Sequence, residues 1–99
     1  MTTDTLPLIV IRAQKVAALL ALAHHGGIPI PAGIDIATHP ILEDLRLGCT
    51  AEEFAAWVEW LGATPCRDFP GSLYRAAECV AHLADLGPVT VRLSTRRVQ

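Results

Sequence analysis

Three cysteines and four histidines are the side chains of this sequence best suited to chemistry. Two of them stand close together in the stretch ECVAH, which runs from Glu78 to His82. A thiol and an imidazole at this spacing could share a zinc site, act as a Cys/His nucleophile pair, or not interact at all. On a helix Cys79 and His82 would lie on one face, whereas on a strand they would point to opposite faces.

Zinc is the first chemistry to consider. A structural zinc site needs four ligands, usually supplied as two close pairs such as CxxC, and the sequence contains no CxxC. The residues that could still form a small zinc-stabilised domain are His24, His25, Cys79 and His82. Buried cysteines usually act as small hydrophobic residues, and a histidine near a helix C-terminus interacts favourably with the helix dipole. We therefore predict no metal and no cofactor, and keep the zinc-stabilised domain as an alternative.

Catalysis requires more than a thiol and an imidazole. A cysteine nucleophile needs a lowered pKa, an orienting base and oxyanion donors, and Cys79 has neither a glycine-rich segment nor a helix start beside it. Adjacent side chains point to opposite faces of a strand and in different directions around a helix. The carboxylate pairs Glu43-Asp44 and Glu52-Glu53 are therefore not expected to converge on one substrate. No phosphate loop or dinucleotide fingerprint occurs in the sequence. We predict no catalytic residues and a protein that is not an enzyme.

Two helices are predicted to position these residues. The segment from Gln14 to His24 is rich in Ala and Leu, and Gly26-Gly27 ends it. The stretch TAEEFAAWVEWLG begins with a capping box of Thr50 and Glu53. Its apolar stripe is formed by Phe54, Trp57, Val58 and Leu61, and Gly62 closes the helix.

Four strands complete the prediction. Residues 34–36 and 45–49 alternate between apolar and polar residues and predict a hairpin. Residues 88–95 also alternate and predict a half-buried strand. Residues 72–83 fit either a helix or a strand, and the short connection to the next strand favours a strand. We predict an α+β domain with a small antiparallel sheet and two helices, in the order α-β-β-α-β-β. It spans residues 1–99 as one domain with frayed ends at 1–6 and 96–99.

This order of elements carries a resemblance. The helix, the stretch IPIPAGIDI, the stretch FAAWVEWLGA and a closing hairpin are similar to small uncharacterised actinobacterial proteins carried by phages and other mobile elements. The layout matches over roughly residues 15–95, and the specific string is residues 57–63. The resemblance implies a fold layout and a mobile-element setting, with no established activity.

The composition predicts self-association. Apolar residues make up 52% of the 99 residues and charged residues only 18%, which is ample for one core in so short a chain. The surplus must face water or another chain, so we predict a homodimer that also binds a protein partner. Trp60 flanks the apolar stripe of the second helix, and tryptophan is enriched in binding hot spots. The predicted interface residues are Trp60, Glu53, Val16 and Leu20.

The C-terminal segment RLSTRRVQ supplies a rival hypothesis. Arg92, Arg96 and Arg97 could bind phosphate, which would make the protein a dimeric nucleic-acid-associated protein. The formal net charge of −2 and the absence of a recognition-helix motif argue against it. The start of the chain lacks a signal peptide, and Arg12 and Lys15 interrupt the apolar run from Leu6 to Ala23, so we expect a cytoplasmic protein outside the membrane.

Overall fold

Two helices lie against one face of a five-stranded mixed sheet, and no helix of the described residues covers the opposite face, here called the open face. The computed structural model describes residues 7–39, 41–67 and 71–96. The elements are α1 (Leu8–His25), β1 (Gly33–Ile36), β2 (Leu45–Cys49), α2 (Ala51–Leu61), β3 (Thr64–Pro65), β4 (Tyr74–Leu83) and β5 (Gly87–Arg96). The predicted α+β class with two helices is confirmed.

The sheet differs from the predicted antiparallel arrangement in two respects. Its strand order is β1-β2-β5-β4-β3, and β2 runs parallel to β5 while every other pair is antiparallel. Parallel neighbours require a long crossover connection, which α2 and the β3–β4 hairpin provide here. The other difference is β3, a two-residue strand in addition to the four that the sequence predicts.

The first helix begins earlier than the alanine-rich pattern predicts. It starts at Leu8, so the strand-like run from Leu8 to Ile11 is helical. Pro7 has φ −56° and accepts backbone hydrogen bonds from Val10 and Ile11 through its carbonyl oxygen. A proline with this φ favours the entry into a helix, so the turn that it starts overrides the local β preference. Thr5, whose side chain makes it a candidate cap from the sequence, lies outside the described residues.

The second helix follows its prediction closely. The Glu53 N–H donates to Thr50 Oγ1 over 3.3 Å, and the Thr50 N–H donates to Glu53 Oε1 over 2.9 Å, which completes the capping box. Gly62 ends the helix with φ 67°, in the left-handed region that glycine adopts without strain. Trp57 is completely buried, and its indole N–H donates to Pro29 O over 2.8 Å. This bond holds the proline-rich connector against α2.

The core lies between the helices and the inner side chains of β2, β4 and β5. Side chains alternate along β5, so Val89, Val91 and Leu93 are buried while Thr90 points to the open face. From α1 the core receives Val16, Leu19 and Ala23, and from α2 it receives Phe54 and Trp57. The predicted strand at residues 72–83 is confirmed, because β4 pairs with β5 along its whole length.

Helix α1 is long and apolar enough to cross a membrane by length and composition. The core helices of soluble proteins pass the same test, so the test assigns no location to this helix. Its buried residues are Arg12, Val16, Leu19 and Ala23. Val16, Leu19 and Ala23 belong to the core, whereas Arg12 binds the β1–β2 connection, so the four residues define the face that α1 turns toward the rest of the domain.

Candidate functional site

Cys79 and His82 point to opposite faces of the sheet. Cys79 is half-buried and lies opposite Val91, on the side of the helices. His82 is exposed and lies opposite Pro88, on the open face. Because a strand turns successive side chains to alternate faces, two residues three positions apart cannot share a site within one chain. The stretch ECVAH thus holds a thiol and an imidazole that the sheet separates.

The four residues of the zinc alternative are not brought together. His24 and His25 lie in the last turn of α1, with ring centroids 6.2 Å apart. Cys79 and His82 belong to β4 and face different sides. Over the part of the chain that the structure describes, no group of three His, Cys, Asp or Glu side chains could hold a metal ion.

Burial makes two of the cysteines poor nucleophiles. Desolvation, together with the nearby charge of Glu53, raises the pKa of Cys49 to about 11. Burial also raises the pKa of Cys79. The thiolate is the reactive form of cysteine, so at neutral pH both side chains are almost entirely in the unreactive thiol form.

The predicted arginine cluster is partly neutralised by acids. Arg92 lies on the open face, where it forms a close ion pair with Glu78 and has Glu43 at 3.8 Å. Arg46 binds the other oxygen of Glu43 over 3.1 Å. Arg96 is exposed at the end of β5, and Arg97 lies outside the described residues. A phosphate approaching Arg92 would therefore have to displace carboxylates.

A buried arginine that the sequence did not single out as functional organises the end of the sheet beside β1. Arg12 is 4% exposed, and its Nε donates to Asp44 Oδ1 over 2.7 Å. Its terminal nitrogens donate to the carbonyl oxygens of Ala37, His39 and Leu42 over 2.7 to 2.9 Å. One side chain thereby fastens the β1–β2 connection to α1. The available sequence signal was a lone arginine inside an apolar helix.

An open cleft of about 750 Å³ lies above the sheet, between the connection at residues 41–44 and the segment at residues 64–66. Glu43, Asp44 and Glu78 line it. All three carboxylates bind arginines, as described above, so the cleft presents no free charge cluster that would select a small ligand.

Trp60 lies at the surface, where the two helices end. It is 36% exposed and packs edge-on against Trp57, with ring centroids 5.5 Å apart. A Cβ placed on Gly26 would lie 3.4 Å from Trp60 Nε1, so the indole closely approaches the residue that follows α1. Leu22, one turn earlier on α1, is 53% exposed. We call Leu22, Gly26 and Trp60 the Trp60 surface.

The other predicted interface residues have different surroundings. Val16 is only 3% exposed and belongs to the core, so a partner could not reach it, and its assignment to the interface is corrected. Leu20 is half-buried against the core. Glu53 Oε1 accepts hydrogen bonds from the backbone N–H groups of Thr50 and Ala32, so its main role is to hold the connector on α2.

The far side of β4 is the feature that sequence reasoning missed. Strand β3 pairs only with Ala77 and Glu78, and Cys66 N–H adds one bond to Ala76 O. Within residues 7–39, 41–67 and 71–96, no strand pairs with the outer side of residues 79–83. We call this side of residues 79–83 the free edge. No sequence signal marked the free edge, because its extent depends on where β3 stops pairing with β4, and β3 was not predicted.

Comparison of the chain with protein-family models, with curated proteins and with solved structures finds no match.

Proposed function

We propose that this protein is a non-enzymatic interaction module that binds other protein chains, with a second copy of itself as its first partner. One observation carries the proposal, namely the amount of apolar surface that the fold leaves uncovered. Twelve large apolar side chains of the described residues are exposed, among them Ile30 at 69% and Ile41 at 84%. Single exposed apolar residues are ordinary, but so many on a short chain are typical of a protein that binds a partner.

The Trp60 surface is the proposed centre of this contact. A tryptophan brings a large apolar area with little conformational freedom to lose, which is why it is frequent in hot spots. The Trp60 ring packs edge-on against Trp57 and lies close to Gly26, so the position of its side chain is fixed before a partner binds. A preorganised side chain loses little entropy on binding.

Two further observations favour binding over catalysis and over nucleic acid. The raised pKa values of Cys49 and Cys79 keep these thiols protonated at neutral pH, which suits structural cysteines. The ion pairs of Arg92 with Glu78 and Glu43 reduce the positive charge that the nucleic-acid hypothesis needs. The proposal therefore involves no cofactor, no nucleic acid and no membrane.

The proposed setting rests on the sequence. The odd number of cysteines, at irregular spacing, supports a cytoplasmic location where thiols stay reduced. The resemblance of residues 15–95 to phage and mobile-element proteins of actinobacteria supports an origin on such an element. A small module of this kind would regulate a process by occupying the surface of a partner.

Sedimentation analysis over a range of concentrations tests the proposal. We expect a reversible monomer–dimer equilibrium, and we expect Trp60→Ala to raise the dimer dissociation constant by about tenfold. Ile41→Ala is the matched control, since it removes a more exposed apolar side chain far from the Trp60 surface, and it should leave the dissociation constant unchanged. A wild-type chain that stays monomeric at every concentration would contradict the proposed self-association.

A further inference from the structure

We infer that two copies of the chain join by pairing the free edges of their β4 strands, so that one antiparallel sheet runs through the dimer. This inference rests on the proposed self-association and names the surface that carries it. Strand addition of this kind satisfies backbone groups that an isolated edge leaves to water.

The backbone groups of Val80 and His82 point away from the sheet. Cys66 N–H donates to Ala76 O, so the N–H and C=O of Ala76 face the outer side of β4. In an antiparallel strand these groups alternate sides from residue to residue, so Glu78, Val80 and His82 also face outward. Glu78 pairs with Thr64 of β3, and beyond Glu78 no described strand pairs with the outer side of β4. Val80 and His82 therefore offer both a donor and an acceptor to an added strand.

The free edge is complementary to itself in one register. When two copies are centred on Ala81, Val80 of one copy faces His82 of the other, and these residues exchange both backbone hydrogen bonds. This arrangement uses all of residues 79–83 in each copy. A register centred on Val80 would place His82 of one copy opposite Glu78 of the other, where Thr64 already pairs. A register centred on His82 would place the β4–β5 turn opposite Val80 and lose most of the pairing.

The side chains of the free edge accept this arrangement. The segment Cys79-Val80-Ala81-His82-Leu83 contains no Asp, Glu, Lys, Arg or Pro. Soluble proteins usually protect a sheet edge with a charged residue, a proline or a bulge, and this segment has none of these in its sequence or its regular ladder to β5. On the helix side Cys79 would meet Leu83, and Ala81 would meet Ala81, which brings apolar side chains together.

The Trp60 surface flanks the same edge. Helix α2 ends at Leu61, and the chain enters β3 within three residues, so the C-terminal end of α2 lies on the β4 side of the sheet. Trp60 contacts Gly26, which places the end of α1 there as well. Pairing of the free edges would bring the helix ends of both copies next to one another. The exposed Leu22 and Trp60 would then be covered in the same contact.

Amide hydrogen exchange of the wild-type chain tests the inference directly. Above the dissociation constant the Val80 and His82 amides should be protected, and on dilution into the monomer range they should exchange at least tenfold faster. Cys79 and Ala81 are matched internal controls, because their N–H groups face β5 and stay bonded in the monomer. Fast exchange of Val80 and His82 in a proven dimer would overturn the edge pairing and leave the proposed self-association standing.

A proline substitution gives an independent test. Val80→Pro removes the outward N–H without touching the ladder to β5, and it should raise the dimer dissociation constant at least about tenfold. Val80→Thr keeps the N–H and the β-branched shape, and should dimerise like the wild type. If Val80→Pro lowers the melting temperature too far for the comparison, His82→Pro removes the other outward donor. A dimer that survives both substitutions but is weakened by Trp60→Ala would place the contact on the helices alone.

Discussion

The two edges of the sheet are built differently. Strand β1 forms one edge with only four residues; Pro29 and Pro31 precede it, and Asp35 lies within it. Strand β4 forms most of the other edge with ten residues, of which β3 covers Ala77 and Glu78. Proline and charge oppose the addition of a further strand at β1, whereas residues 79–83 of β4 contain neither.

This difference determines what kind of assembly the chain could form. A sheet with two open edges would add copies without limit, whereas one open edge that pairs with itself closes at two copies. The protected edge is also the better anchored one, because Arg12 binds three carbonyl oxygens between Ala37 and Leu42. Substitutions that weaken the protection of β1, or that probe the two sides of the sheet separately, therefore test this difference.

The largest effect is expected from Arg12→Met. The substitution leaves three carbonyl oxygens and Asp44 without their buried partner, which should lower the free energy of unfolding by about 3 kcal/mol. Because β1 is then poorly anchored, β2 becomes a second accessible edge and the protein should aggregate. Urea denaturation and light scattering measure the two outcomes. Lys15→Met is the control, since the half-buried Lys15 makes one hydrogen bond within the described residues, to Pro88 O, and should change stability by less than about 0.5 kcal/mol.

Acid should weaken the same end of the sheet. Burial raises the pKa of Asp44, but the hydrogen bonds from Thr90 and the ion pair with Arg12 outweigh it, so the pKa lies below its ordinary value of 3.8. The stabilisation is complete above pH 3.8 and is lost as the pH falls through the lowered pKa. The urea midpoint should therefore fall below pH 4, and Asp44→Asn should show a flatter dependence there. Equal slopes for wild type and variant would contradict this role of Asp44.

Removal of the charge on β1 should create a second open edge. Asp35→Val replaces an exposed carboxylate by a β-branched residue that favours strand pairing. We expect roughly 1 kcal/mol in favour of further association, seen as a weight-average mass above that of the dimer in sedimentation at high concentration. Asp85→Val makes the same change of charge in the exposed β4–β5 turn and should leave the mass at that of the dimer. Equal behaviour of the two variants would remove the distinction between the edges.

The smallest effect concerns thiol reactivity on the two sides. Cys49 lies in β2 on the β1 side, and its pKa of about 11 should make its alkylation rate rise about tenfold per pH unit between pH 7 and 9. Cys79 lies on the free edge, so its alkylation should also be slower in concentrated than in dilute protein. Mass spectrometry of the labelled peptides separates the two rates. A concentration dependence for Cys49 as well would mean that the contact extends beyond the free edge.

Patterns that involve neighbouring residues predicted much of the fold. The capping box of Thr50 and Glu53, the apolar stripe of α2 and the alternation of β5 each depend on contacts within a few residues, and the structure has all three. The strand at residues 72–83 was also predicted, because a short connection limits where the next strand can lie. The parallel pairing of β2 with β5 was not predicted, since it joins residues 46 positions apart.

The sequence by itself determined the class of the fold and the ends of α2, because helix and strand periodicity place side chains locally. The separation of Cys79 from His82 followed only once the pairing of β4 with β5 made residues 74–83 a strand. Only the tertiary structure decided that Val16 is core and that Arg12 is buried among carbonyl oxygens. It alone also showed that no strand of the described residues pairs with the outer side of residues 79–83. Burial and edge exposure depend on which distant segments come to lie beside a residue, and no local pattern contains that information.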